Sequence, residues 1–250
     1  MRLSAKQWQH IHAFQAGEIE RLASDKEFAL ASSRRPHFTR VGEWLTEGEQ
    51  NQTVLELGCG PGRYAAMLSS LGYAVTGVDP SSFPAWEMIR RHTSARLMDE
   101  VFAEDLPFED ESFDNVACLG ALLYFADADK ALSEIKRVLR PGGKFYVRTV
   151  NRRNLYWSVH RKPIDPASTN HYTEAELAAF LESHGFEVSK TFSYGFYPPY
   201  GGSLWWWLSN GTISIGMQEM LSRLTPKSRR VNVVAYCRKP DESRSDNEDA

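Results

Sequence analysis

Residues 54–62 read Val-Leu-Glu-Leu-Gly-Cys-Gly-Pro-Gly, and Asp79 closes the run Ala74-Val75-Thr76-Gly77-Val78-Asp79, twenty-one positions after Gly58. A short apolar run ends in a glycine-rich loop, a helical stretch follows over 64–71, and a second apolar run ends in a carboxylate. This is the pattern of a parallel β-α-β unit that binds a nucleoside. Glycines let the backbone approach the ligand, and the acid accepts hydrogen bonds from ribose hydroxyls.

Outward from this unit the same alternation continues. Apolar runs at 54–57, 73–78, 95–102, 115–119 and 144–149 read as strands, the last introduced by the turn Arg140-Pro141-Gly142-Gly143. Helical patterns fall between them at 64–71, 85–92 and 128–139, the last with Ala131, Ile135, Val138 and Leu139 on one face. A further helix at 174–185 precedes strands at 186–192 and 231–237. Strands alternating with helices of ten or so residues imply an α/β fold with a parallel sheet. Ahead of the first strand, 4–23 is helical by pattern, with Ser4 as a candidate cap. A polar stretch at 31–36 leads to a second short helix carrying Phe38, Val41, Trp44 and Leu45.

The loop discriminates between nucleosides. A dinucleotide fingerprint wants G-x-G-x-x-G and a helix N-terminus aimed at a pyrophosphate. Here Gly58, Gly60 and Gly62 are spaced in twos, and Arg63 stands where the third dinucleotide glycine belongs. That disfavours an NAD(P)-binding oxidoreductase. The longer string VLELGCGPGRYAAML, residues 54–68, closely resembles the first motif of class I S-adenosylmethionine-dependent methyltransferases.

The resemblance implies S-adenosylmethionine as cofactor and S-adenosylhomocysteine as product. By it, the loop Gly58-Cys59-Gly60-Pro61-Gly62 passes the methionine part, Glu56 lies close to that part, and Asp79 and Pro80 belong to the same binding set. It implies a Rossmann-like, doubly wound sheet of seven mainly parallel strands, with the last strand antiparallel. The N-terminal helices would either cover the cofactor cleft or pack on the sheet.

Two further stretches extend the likeness across 54–150 in the family's order. One is Ala103-Glu104-Asp105-Leu106-Pro107-Phe108 followed by Ser112-Phe113-Asp114-Asn115-Val116; the other runs from Glu134 to Gly143. Together they are similar to the small-molecule, type 11-like branch, which includes quinone, sterol and antibiotic methyltransferases. One position departs from the pattern: where relatives carry an acid for the adenine amino group, this chain has Phe102. Phe102 packing on the adenine face, Glu104 taking the polar contact, and a backbone amide near Ala103 reaching the ring are the alternatives. Leu119, closing the fourth strand, completes the implied set. Phe102 also keeps open a non-catalytic protein that uses the cofactor fold for binding or assembly.

Residues 191–218 carry no charged residue and are crowded with aromatics, including Tyr194 and Trp205. The stretch reads as a lid or pocket wall over a small lipophilic acceptor, with core or homodimer packing and contact with a bilayer surface as alternatives. Its Tyr197-Pro198-Pro199-Tyr200 is a decoy for the adenine-amine box, which begins with an acid or amide and ends the fourth strand. Oxygen or carbon acceptors also call for a base. Tyr124, after the fourth strand, and His171, after the fifth, are the candidates. Tyr124, Tyr172, Tyr194 and Trp205 are the candidate acceptor-pocket residues.

Composition bounds the rest. The 250 residues are 42% hydrophobic, enough for a proper core, and carry a net charge of −3. The tail supplies that charge, since Asp241, Glu242, Asp246, Glu248 and Asp249 face only Arg244. With no basic field on the body, nucleic acid is not the expected substrate. Three cysteines without C-x-x-C spacing and seven histidines without ligand spacing indicate no metal and a reducing compartment. Neither a signal-peptide core nor a membrane-spanning stretch is legible, so a cytoplasmic protein is expected. The expected organisation is a helical extension at 1–48, a methyltransferase domain at 49–239 with an aromatic-rich insertion at 191–220, and a disordered acidic tail at 240–250.

Overall fold

The computed structural model describes residues 17–33, 51–198, 217 and 220–241. The chain forms two compact units, Met1–Phe102 and Ala103–Ala250. Their strands are β1 (Thr53–Leu57), β2 (Ala74–Val78), β3 (Arg96–Met98), β4 (Phe113–Leu119), β5 (Leu139–Val150), β6 (Glu187–Tyr194) and β7 (Asn232–Arg238). The strand order is β3-β2-β1 in the first unit and β4-β5-β7-β6 in the second.

In the first unit β1 pairs parallel with β2, and β2 with β3. Parallel pairs need crossover connections, and the sequence supplies them as α2 (Arg63–Ser70) and α3 (Ala85–His92). Helix α2 turns Ala65, Ala66, Met67 and Leu68 inward, and α3 buries Trp86 and Ile89 at i and i+3. Residues 17–24 are also helical and bury Ile19 and Leu22, and α1 (Lys26–Ser33) packs on α2. Arg63, at the head of α2, pairs with Glu18 at 2.7 Å. Helix α1 was not expected: its Ala-Ser-Ser end reads as loop, yet Ser32 is fully buried. The helices expected over 4–16 and around Phe38–Leu45 lie outside the described residues.

In the second unit β4 and β5 are parallel, while β7 runs antiparallel to both β5 and β6. The antiparallel last strand agrees with the family resemblance. Helix α4 (Ala128–Val138) starts because the Asp127 side chain accepts the Lys130 amide, and it buries Ala131, Leu132, Ile135 and Val138. Burying Leu132 and Ile135 completely contributes roughly 2 kcal/mol each. Helix α6 (Glu174–Ser183) opens on a capping box formed by Thr173 and Glu176. Thr173 therefore caps this helix.

The third strand is shorter than the sequence reading, Arg96–Met98 against 95–102, and the fifth strand and the segment after it also differ. The fifth strand starts at Leu139 rather than 144, so Arg140-Pro141-Gly142-Gly143 is an irregularity inside the strand, where the register against β4 shifts between Phe113 and Asn115. A Cβ at Gly143 would sit 2.7 Å from the Arg140 carbonyl and 2.9 Å from that of Asp114, so only glycine fits there. A short helix, α5 (Leu155–His160), also forms, capped by Asn154 accepting the Trp157 amide. Among the described residues no helix is long and apolar enough to cross a membrane.

Candidate functional site

In the first unit the loop after β1 meets the end of β2, the edge of an open α/β sheet where ligands bind. Gly58, Gly60 and Gly62 all have positive φ, at 64°, 51° and 87°. The Cys59 amide donates to Val78 O at 3.0 Å, and the Gly62 amide to Cys59 O at 2.9 Å. Trp86 Nε1, from α3, donates to Gly60 O at 2.7 Å. The Gly60 amide donates to Asp79 Oδ2 and the Ser81 amide to Asp79 Oδ1, both at 2.9 Å. The loop thus holds the Asp79 carboxylate in one orientation and leaves each oxygen a further lone pair. Pro80 is exposed beside it.

Gly62 also heads α2, and a Cβ there would run into Ile89 Cδ1. With φ already positive, Gly62→Ala is expected to cost about 1–3 kcal/mol. Thermal unfolding measures it; an unchanged Tm would contradict the close packing.

Glu56 on β1 is 1% exposed. One oxygen accepts the Ala65 amide, and Oε2 has no partner among the described residues. Burial, with Asp79 adding repulsion against the pull of the Ala65 amide, pushes its pKa from 4.5 to about 8. A buried carboxyl with an orphan acceptor suits a ligand that brings a donor or a cation. The sign of the linkage follows. Because the folded pKa is raised, the fold favours the protonated form, and ligand-free stability falls as pH rises from about 4.5 to about 8. Between pH 6 and 8 the loss is about 2 kcal/mol, and Glu56→Gln should abolish it. Equal pH dependence of Tm in both proteins would refute this. Cys59 is 5% exposed, and burial, with Glu56 and Asp79 adding, raises its thiol pKa, so it is a packing group rather than a nucleophile.

Phe102, 57% exposed, is among the most exposed large apolar side chains of the described residues. In the second unit Ala103 and Leu119 are buried. Glu104 Oε1 accepts the Ala126 amide at 2.8 Å and the Asp127 amide at 3.2 Å, so it secures the turn before α4.

The same unit encloses a cavity of 230 Å³ at the ends of β4 and β5, lined by Leu123, Tyr124, Arg148, Ile164, Asp165, Ser168, His171 and Asn232 among others. It brings together Tyr124 and His171, two of the residues singled out in the sequence. Tyr124 donates its hydroxyl to Asp165 Oδ2 at 2.5 Å, while Asp165 Oδ1 accepts the Ala167 amide. Burial and this bond push the phenol up to about 12 and hold the Asp165 carboxyl below its usual range. Tyr124 is thereby held protonated at neutral pH, its hydroxyl proton directed at Asp165. His171 Nε2 lies 2.8 Å from Ser168 Oγ, and the ring meets Trp157 edge-on. Burial lowers its pKa against a backbone hydrogen bond at Thr169, leaving a neutral imidazole.

Tyr172 is not a lining residue of this cavity: it stacks on Phe180 at 5.1 Å. Nor is Tyr194, which ends β6 opposite Asn232. Trp205 and most of the aromatic stretch lie outside the described residues. Sequence reasoning missed Asp165, Ser168 and Asn170. Asn170 Nδ2 donates to Phe125 O at 2.7 Å and Leu122 O at 3.2 Å, tying the loop to the turn that carries Tyr124. The only local signal was the turn-forming Asp165-Pro166.

Comparison with known proteins agrees with this geometry. Residues 55–147 match the family described as a methyltransferase domain. A Mycolicibacterium smegmatis protein named "Probable S-adenosylmethionine-dependent methyltransferase" is 36% identical over 139 residues, 55% of this chain and 53% of that one. The malonyl-[acyl-carrier protein] O-methyltransferase of Erwinia billingiae is 33% identical over 137 residues, 54% of each. The chain thus spans about half the length of the curated relatives it matches. Among solved structures, the methyltransferase in complex with the Haloferax volcanii Trm112 activator superposes with a TM-score of 0.60 at 22% identity, covering 89% of this chain and 97% of that one. Residues 55–147 are thus similar to methyltransferase domains, and the relatives matched over this stretch include a probable S-adenosylmethionine-dependent enzyme. The cofactor these matches imply is S-adenosylmethionine.

Proposed function

We propose that this chain methylates a small-molecule acceptor, and that the held Asp79 carboxylate with the orphan Glu56 oxygen is the observation that carries the reading. S-adenosylmethionine supplies a methyl carbon activated by positive sulfur. Asp79 accepts the ribose hydroxyls, and Glu56 faces the amino group of the methionine part. Gly58, Cys59, Gly60 and Gly62 offer backbone at close approach, with Pro80 beside them. Because Glu104 is engaged by backbone amides, the adenine contacts fall to the exposed Phe102 ring, with Ala103 and Leu119.

The acceptor lies in the 230 Å³ cavity, its apolar body against Leu123 and Ile164 and its polar end toward the Tyr124–Asp165 pair. Positioning is the main contribution such a site makes to an in-line displacement. His171, neutral and half-buried, is the group there able to take a proton. The proposed methyltransferase domain is 49–239, preceded by helical residues within 17–33 and followed by an acidic tail at 240–250. Cys59, Cys118 and Cys237, buried and not joined in disulfides, suit a reducing, cytoplasmic setting.

Calorimetric titration with S-adenosylhomocysteine tests the cofactor half, and micromolar binding is expected. Folded protein that ignores the ligand at millimolar concentration would overturn it. A second reading, a non-catalytic binding or assembly protein, is favoured by one observation. Tyr124 is committed as a donor, and His171 is hydrogen-bonded through Ser168 and the Thr169 backbone. Tight cofactor binding with no turnover across an acceptor screen would select it.

A further inference from the structure

We infer that ligand uptake at Glu56 is proton-coupled and selects for a cationic amine: Glu56 stands as the neutral acid in the ligand-free protein and surrenders its proton to solvent when an ammonium group docks on Oε2. This rests on the cofactor reading above and adds to it a charge requirement.

The geometry carries the inference. Glu56 is 1% exposed on a central strand, so its ionised form lacks water. The Ala65 amide, from the first turns of α2, satisfies one oxygen only. Oε2 has no partner among the described residues. The charged group facing it from the end of β2 is Asp79, an anion, which opposes a second negative charge. The loop contributes Cys59, whose thiol is kept protonated. The cation at the head of α2, Arg63, is paired with Glu18 at 2.7 Å. Ionisation at Glu56 is thus uncompensated until a ligand brings the compensating charge, and the raised titration of the group agrees.

The balance is simple. A carboxylic acid and an ammonium ion become a carboxylate–ammonium pair, and one proton goes to the buffer. No covalent bond other than the O–H changes. A nucleoside without an amine leaves Glu56 neutral and releases nothing.

The test titrates S-adenosylhomocysteine and 5′-methylthioadenosine, which share the adenosine thioether but differ in the amino-acid end. Calorimetry in two buffers of unlike ionisation enthalpy counts protons. At pH 7, S-adenosylhomocysteine should release about one proton, and its Kd should fall tenfold or more from pH 6 to 8. Methylthioadenosine should release none and show no such pH trend. Glu56→Gln should erase both proton release and pH trend for S-adenosylhomocysteine, weakening it about tenfold at pH 8 and leaving methylthioadenosine unchanged. Asp79→Ala should weaken both ligands, with S-adenosylhomocysteine still releasing protons, though fewer because an opposing charge is gone, and methylthioadenosine releasing none, which separates charge coupling from loss of structure. Binding without proton release in the wild type, or release that persists in Glu56→Gln, overturns the proposal while the cofactor reading stands. Failure of both ligands to bind overturns the two together.

Discussion

Asp79→Ala is expected to raise the Kd for S-adenosylhomocysteine by about 50-fold or more, a loss of 2–3 kcal/mol. Two effects add. The substitution removes the acceptors that face the ribose hydroxyls, and charge-assisted hydrogen bonds of this kind contribute about 1.5–3 kcal/mol each when desolvated. It also deletes the group that holds the Gly60 and Ser81 amides, both at 2.9 Å. The loop then loses its tie to the end of β2 at the residue where backbone meets ligand. Asp79→Asn gives a sharper reading. Asparagine keeps the shape, but its NH2 must face one of those two amide donors, so it should be nearly as damaging as alanine. An Asn variant that binds like wild type would show that the carboxylate serves only as a spacer. Circular dichroism of the ligand-free variants separates lost binding from lost fold.

The parts of the fold that were legible share a physical property: the signal was local. Trp86 and Ile89 mark the buried face of α3, and its bounds of 85–92 match the periodicity. The loop glycines and Asp79 lie within one β-α-β unit, and their pairing follows from spacing. What the sequence hid was set by contacts far along the chain or by packing against polar residues. Ser32 belongs to a helix because it is buried, although serine-rich text reads as loop. The Pro-Gly-Gly turn continues a strand because the ladder with β4 resumes at Lys144. Tyr124 was visible as a residue, but its role depends on Asp165, forty-one positions away. Glu104 shows the same limit: a carboxylate in a binding motif is spoken for by amides at Ala126 and Asp127. Which group is free for chemistry is a tertiary property.

The largest effect on stability is expected at Asn151, immediately after β5. It is 2% exposed, and its side chain makes three hydrogen bonds. Nδ2 donates to Arg230 O at 2.8 Å and Ser228 O at 3.2 Å, while Oδ1 accepts the Arg153 amide at 2.9 Å. Its carbonyl takes the side chain of Asn154, which is fully buried and caps α5. One side chain therefore joins the approach to β7 with the segment that runs on to Asp165, Ser168 and His171. Asn151→Ala removes three part-buried hydrogen bonds at once, at a cost of about 3 kcal/mol. For a chain of this size that lowers Tm by roughly 6–12 °C. Asn151→Asp is isosteric but should be at least as harmful, because a carboxylate facing two carbonyl oxygens has no proton to offer unless it stays neutral. The Asp variant should therefore regain stability as the pH is lowered, whereas the Ala variant should not. Thermal unfolding of both at pH 5 and pH 8 decides it. An Asp variant as stable as wild type at pH 8 would mean that Asn151 fills space rather than organises the cavity wall.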